Sequence, residues 1–245
     1  MFRSIHWPSD AGQHEELLDR GGYKRPAVTL PGYRRGERPA NYGMKLPAEV
    51  LTAAEITRLL EACPRRGPGG IRNRALIVVL WRGGLRSAEA LDLELRDVDR
   101  LAGTITVRHG KGNRRRVVGL DPPAFAVLEQ WLTVRSKIGV PRGAPIFCTI
   151  TENNLGRRLG AAYWRQAITR LGQKAGIEKR VHSHGLRHTH AVELMRENVP
   201  LLVISRQLGH SSLSITQRYL DHLEPGEVVA AMQSRPWPIG GHRLE

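Results

Sequence analysis

Cysteine is scarce in this chain: Cys63 and Cys148 are the only two among 245 residues. They lie far apart and outside any Cys-x-x-Cys pattern, so neither a disulfide framework nor a thiol redox pair is expected, and a reducing cytoplasm is the natural setting. Long apolar runs are missing too. The longest, Ala75 to Trp81, falls far short of the roughly 20 residues that a membrane-spanning helix needs. The opening stretch Met1-Phe2-Arg3-Ser4-Ile5-His6-Trp7-Pro8 has no apolar region of the signal-peptide kind, so nothing suggests secretion. No internal repeat and no low-complexity tract stands out. Acidic residues are in short supply, with 23 Asp+Glu against 38 Lys+Arg, a net charge of +15 and a pI near 10.9. A surplus of that size points to a polyanionic partner, nucleic acid first among the candidates.

What is present divides into three parts. Residues 1–45 hold Pro8, Pro26, Pro31 and Pro39, with Tyr23, Tyr33 and Tyr42 spaced among basic clusters that include Arg34 and Arg35. They read as an extended basic arm contacting the DNA backbone, or, in the plainer alternative, as a solubilising tail. Residues 46–225 carry the patterned segments. Thr52 and Glu55 make a capping-box start for a helix that Pro64 stops. The run Ala75–Trp81, apolar on all sides and closed by Gly83-Gly84, predicts a buried helix. Thr104–Val107 and Arg116–Leu120 flank a glycine-containing turn and predict a β-hairpin. Asp121-Pro122 opens another helix, and the chain from Gly156 onward reads as almost wholly helical. Residues 226–245 form a tail in which Val228, Val229 and Met232 suggest a short helix, self-packed or exchanged between protomers. The fold class expected is therefore mainly α with a small antiparallel β-sheet.

The chemistry-bearing segment is His182-Ser183-His184-Gly185-Leu186-Arg187-His188-Thr189-His190. With Ser183 as the expected N-cap, His184 and Arg187 stand at i,i+3 on one face of a new helix. Upstream lie Gly84-Leu85-Arg86 with Glu89 following, and Gly110-Lys111-Gly112-Asn113 in the hairpin turn. Downstream come Leu208-Gly209-His210 and then Tyr219.

These landmarks, in this order, resemble the catalytic domain of the tyrosine recombinases (the phage integrase and Xer family) over about residues 46–225. The resemblance implies the DNA breaking-rejoining fold and a catalytic set of Arg86, Lys111, His184, Arg187, His210 and Tyr219. Ala88 stands where the family often has Ser. The family also usually carries a helical core-binding domain ahead of this one, whereas only about 45 arm-like residues precede it here. The implied activity is site-specific recombination or integration, as in a mobile element, through a 3′-phosphotyrosine and with no cofactor. The implied assembly is a homotetramer on synapsed DNA sites, with a co-recombinase or accessory protein as a further partner.

The same residues make chemical sense unaided. Arg86 and Arg187 can each present bidentate hydrogen bonds to non-bridging phosphate oxygens, and His210 can add another. A neighbouring cationic cluster favours the phenolate of Tyr219, whose reference pKa is about 10. Lys111 can protonate the leaving 5′ oxygen, while His184 is placed for proton transfer at the tyrosine. A phosphotyrosine ester keeps the energy for religation, which makes ATP unnecessary and fits the lack of a G-x-x-x-x-G-K-[ST] loop. Arg114, Arg115 and Arg116, beside Lys111, read as phosphate-tracking side chains or as a plain solvated charge run.

Blander readings exist for each residue. Arg86 could cap a helix, Lys111 could be a solvated turn residue, and Tyr219 could be a half-buried amphipathic tyrosine. His188 and His190 read as packing or surface residues rather than metal ligands. Asp92, Glu94, Asp97 and Asp99 read as surface carboxylates on an exposed connection rather than a magnesium site. Rival functions are a type IB topoisomerase-like relaxase and a catalytically inactive DNA-binding remnant that regulates a full-length recombinase.

Overall fold

The computed structural model describes residues 50–108, 110 and 115–210. In chain order they form α1 (Ala53–Ala62), α2 (Pro68–Arg82), α3 (Ser87–Leu91), β1 (Val98–Asp99), β2 (Thr104–Val107), β3 (Arg116–Gly119), α4 (Pro122–Lys137), α5 (Ala161–Lys174), α6 (Ser183–Arg196) and α7 (Leu201–Leu208). This is the mainly helical architecture with a small antiparallel sheet that the sequence predicts. Among the described residues no helix is long and apolar enough to cross a membrane.

Helix α1 starts on its capping box: the Glu55 N–H donates to Thr52 Oγ1 at 3.2 Å, and the Thr52 N–H donates to Glu55 Oε2 at 2.7 Å. At its other end Lys174 of α5 donates to the Ala62 carbonyl at 3.0 Å, satisfying one of the carbonyls left open by the last turn. Helix α2 is the centre of the core. Ala75 to Leu80 are each at most 4% exposed, and the helix packs against α4 on one side and α6 on another. Each fully buried aliphatic side chain there contributes about 1.5–3 kcal/mol. The end of α2 is tied down by charge. Arg82 pairs with Asp121 at 2.7 Å and with Glu193 of α6 at 3.3 Å, while the Trp81 indole N–H donates to Glu193 Oε2 at 2.8 Å. Asp121 is also the N-cap of α4, accepting the Ala124 N–H at 3.0 Å ahead of Pro122.

The hairpin forms as expected, with β2 and β3 paired from Thr104↔Gly119 to Val107↔Arg116, and Ile105 and Val118 buried. A third strand, β1, pairs antiparallel with β2. Two residues are too few to show a strand's alternation, so the sequence does not reveal it. The carboxylates in and before it need a correction. Asp92 and Asp99 are exposed, but Asp97 is buried at 5%, because it accepts the Glu94 N–H at 2.9 Å and pairs with Arg108 at 2.9 Å. It is a structural cap. The start of α6 differs as well: the N-cap is His182, whose Nδ1 accepts the Gly185 N–H at 3.1 Å. Ser183 instead accepts the Trp164 indole N–H at 2.9 Å, which joins α5 to the first turn of α6.

Candidate active site

Four of the residues expected to be catalytic lie among those described: Arg86, His184, Arg187 and His210. Lys111 and Tyr219 lie outside the described residues, as do Arg34, Arg35 and Arg114 and the segments 1–45 and 226–245.

The gathering point is the C-terminal end of α7. Gly209 takes the left-handed conformation there, with φ 64° and ψ 50°. The Gly209 N–H donates to Arg206 O and the His210 N–H to Ser205 O, both at 3.1 Å, which is a Schellman closure. That closure fixes where His210 leaves the helix and turns the carbonyls of Leu208 and Gly209 outward. Two arginines take them. Arg187, on α6 and 1% exposed, donates to Leu208 O at 2.6 Å and to Gly84 O. Arg86 donates to Gly209 O at 3.3 Å. The negative end of a helix dipole thus holds two guanidiniums next to His210.

Glycine makes the approach possible. Gly84 has φ +61°, and a Cβ on it would sit 2.5 Å from His190 Cδ2 and 2.8 Å from Leu208 Cδ2. Only a residue without a side chain lets the chain between α2 and α3 run so close to α6 and α7. His190 is a packing residue, 3% exposed, as the sequence suggests.

Arg86 does not cap the preceding helix. It precedes α3, where its N–H donates to Glu89 Oε2 at 2.9 Å and its guanidinium to Glu89 Oε1 at 2.7 Å. In the sequence Glu89 stands out only by its position after Arg86. An Arg-x-x-Glu spacing at a helix start is the signal that finds it, because Glu at N3 reaches back to the N-cap N–H. Arg116, expected from the sequence to track phosphates, turns inward here. Its side chain is 11% exposed and forks onto Glu89 at 2.9 and 2.7 Å, with its Nε donating to Gln207 O at 3.1 Å. Arg115 is exposed. Gln207, which carries no sequence signal, bridges α7 to Gly119 of β3 through bonds of 3.2 and 3.0 Å.

The electrostatics follow from this crowding. Burial alone would raise the Glu89 carboxyl, but hydrogen bonds from Arg116 and Arg86 and the positive charge of Arg116 hold it at about 2. Burial, and then the charges of Arg187, Arg86, Arg116 and His184, push His210 down to about 4. The protein packed around His184 lowers it in the same direction, followed by the charges of Arg187, His182 and Arg86. Its ring stands edge-on to His188, with centroids 4.2 Å apart. The cluster is therefore a concentrated positive field with neutral imidazoles inside it, suited to an anion. Among the described residues no group of three or more His, Cys, Asp or Glu could hold a metal ion.

A helical domain that gathers two arginines and a histidine at one helix end, beside a small antiparallel sheet, has known counterparts. The fold matches a XerA recombinase with a TM-score of 0.65 and 29% identity, over 82% of this chain and 68% of that one. It also matches a XerH site-specific recombinase bound to palindromic difH substrate in a post-cleavage complex, with a TM-score of 0.63 and 30% identity over 78% of this chain and 54% of that one. The catalytic domain of bacteriophage HP1 integrase aligns over 79% of this chain and 98% of its own, with a TM-score of 0.51 and 25% identity.

In sequence, residues 49–225 match the phage integrase family, and the chain belongs to that family. It is 31% identical to the tyrosine recombinase XerC of Lactobacillus leichmannii over 203 residues, 83% of this chain and 66% of that protein. It is 34% identical to the tyrosine recombinase XerD of Mycobacterium tuberculosis over 189 residues, 76% of this chain and 60% of that protein. The chain thus spans between 60% and 66% of the length of these curated relatives.

Proposed function

We propose that this chain cuts and rejoins double-stranded DNA at specific sites through a 3′-phosphotyrosine on Tyr219. The observation that carries this reading is the convergence of Arg86, Arg187 and His210 on the C-terminal turn of α7. Attack on a phosphodiester moves negative charge onto the non-bridging oxygens. Donors already fixed in place stabilise that charge most, and losing one typically costs about 10²–10³ in rate. Arg86 and Arg187 are held by backbone carbonyls and Glu89 before any substrate arrives, so little reorganisation is needed.

In this mechanism the phenolate oxygen of Tyr219 attacks the phosphorus, and the bond to the 5′ oxygen breaks. Lys111 gives a proton to that leaving oxygen. His184, neutral at pH 7, takes the proton from the tyrosine. The guanidiniums supply the charge compensation a metal would otherwise bring, and the new ester conserves the energy of the old one, so neither a metal nor ATP is required. Religation reverses the steps with a second 5′ hydroxyl as nucleophile. Exchange between two sites needs paired protomers, and the assembly proposed is a homotetramer on synapsed DNA, with an accessory or co-recombinase protein where one is required. Cys63 and Cys148, both buried and free, suit a reducing cytoplasm. Residues 1–45 form a basic arm, 46–225 the catalytic domain and 226–245 the tail, with Arg34, Arg35, Arg114 and Arg115 contacting the DNA backbone.

Covalent capture tests this directly. The protein is incubated with fragmented genomic DNA in EDTA and denatured, and the attached DNA is sequenced. Enrichment of one sequence by the wild type and none by Tyr219→Phe is the expected result. Attachment without sequence preference contradicts site specificity and indicates relaxation of the topoisomerase kind. No adduct contradicts the reading altogether.

A further inference from the structure

Arg116 sits in an unusual position for a surface-strand residue. It opens β3, five positions after Lys111 in the sequence, yet its side chain points back into the arginine cluster. Three bonds leave its guanidinium: two to the carboxylate of Glu89, at 2.9 and 2.7 Å, and one from Nε to Gln207 O at 3.1 Å. Glu89 in turn holds both the backbone N–H and the guanidinium of Arg86. The fit is tight. A Cβ on Gly209 would lie 2.8 Å from Arg116 Cδ and 2.9 Å from its Nε. The glycine before His210 therefore serves two ends, closing α7 and leaving room for Arg116.

We infer that Arg116 is a positioning residue, which rests on the function proposed above: through Glu89 it fixes the Arg86 guanidinium, and through Gln207 it fixes the turn leading to His210. The strand that leaves the lysine hairpin is thereby fastened to the elements that grip the phosphate. Arginine is needed because a planar fork can meet both carboxylate oxygens and a carbonyl together, which a lysine ammonium cannot do in the same geometry. Arg116 touches no reacting atom. Misplacing a catalytic group by about 1 Å can cost on the order of 10² in rate, and that is the size of effect expected when Arg116 is removed.

The test uses the full chain as wild type, Arg116→Ala, Arg116→Lys and Glu89→Gln, plus the Arg116→Ala/Glu89→Gln double variant. Three quantities are read: adduct formation at saturating DNA, the salt dependence of DNA binding, and the titration of the Glu89 carboxyl by carbon NMR. Expected are a loss of about 10² in the adduct rate for Arg116→Ala, no change in the salt slope, and a double variant no slower than the slower single one. Arg116→Lys stays well below wild type in rate. Restoration by Lys, or a weaker salt slope with a normal rate at saturation, overturns the inference and makes Arg116 a phosphate contact. If Arg116→Ala does not fold, Arg116→Lys and the wild-type titration decide. Glu89 titrating in the wild type near its ordinary 4.5 rather than about 2 overturns the hold attributed to Arg116. A wild type that forms no adduct overturns the functional reading, while the Glu89 titration still decides whether Arg116 holds that carboxylate.

Discussion

A guanidinium that is 1% exposed, as Arg187 is, has exchanged its water for protein oxygens, here the carbonyls of Gly84 and Leu208. Arg187→Ala leaves both carbonyls without that partner, at about 1–3 kcal/mol each. A lowered midpoint in urea, with the adduct rate reduced at least 10²–10³-fold, is the expected outcome, and urea unfolding beside single-turnover cleavage measures both. Arg86, less buried, is predicted to lose rate with a smaller loss of stability. The histidines set the pH behaviour. His210 and His190 stand at about 4 in the folded chain against 6.5 for an unperturbed imidazole. Between those values the unfolded chain binds more protons, so stability falls as pH drops from about 6.5 towards 4. Glu89 continues the trend: its contribution is present above about 4.5 and is lost as pH falls towards 2. Thermal unfolding between pH 7 and 4 checks the slope. A phosphate beside His210 acts in the opposite direction to the arginines, so DNA binding is predicted to raise the His210 pKa. Proton NMR of its ring with and without a target duplex reads the shift, and an unmoved His210 contradicts its role as a phosphate donor.

Helix ends, rather than helix faces, build this site. Arg86 lies before α3, Arg187 is one turn into α6, and His210 follows the closure of α7. Gly209→Ala strains a residue with φ +64° and drives a Cβ to 2.8 Å from Arg116 Cδ. It is predicted to destabilise by about 1 kcal/mol or more and to slow adduct formation more than it weakens DNA binding, which single-turnover rates and equilibrium binding separate. These elements were legible in the sequence to different depths. The α1 capping box, the buried α2 and the Asp121 cap follow from short-range patterns that no distant contact overrides. Ser183 failed as a cap because Trp164, nineteen positions earlier, takes its hydroxyl, a contact that local spacing cannot show. The partners of Asp97 and Arg116 escape local spacing in the same way. Asp97 is buried against Arg108, and the half-buried Arg116 is paired with Glu89, 27 positions away. Among the described residues the motif order singles out Arg86, Arg187 and His210, which lie together, but not that Glu89 and the α7 carbonyls hold the two arginines.

At the scale of the whole molecule, on the proposed reading, the net charge of +15 governs how the chain meets DNA. Arg115 on the hairpin and Arg165 and Arg170 on α5 are exposed. Each phosphate neutralised by such a side chain adds about 0.9 to the slope of log affinity against log salt on duplex DNA. A steep slope is predicted, and Arg115→Ala should reduce it by about one contact while leaving the adduct rate at saturation intact. Arg116→Ala should do the reverse. The central claim, that Tyr219 becomes covalently joined to DNA, is tested most directly by mapping the linkage itself. Adduct formed in EDTA is digested with protease and nuclease, and the nucleotide-bearing peptide and the freed DNA end are identified by mass spectrometry. The predicted result is a nucleotide joined through its 3′ phosphate to Tyr219, with a 5′ hydroxyl on the released strand. Linkage to another residue, a 5′ phosphate on the released strand, or an adduct that forms only with a divalent metal contradicts it.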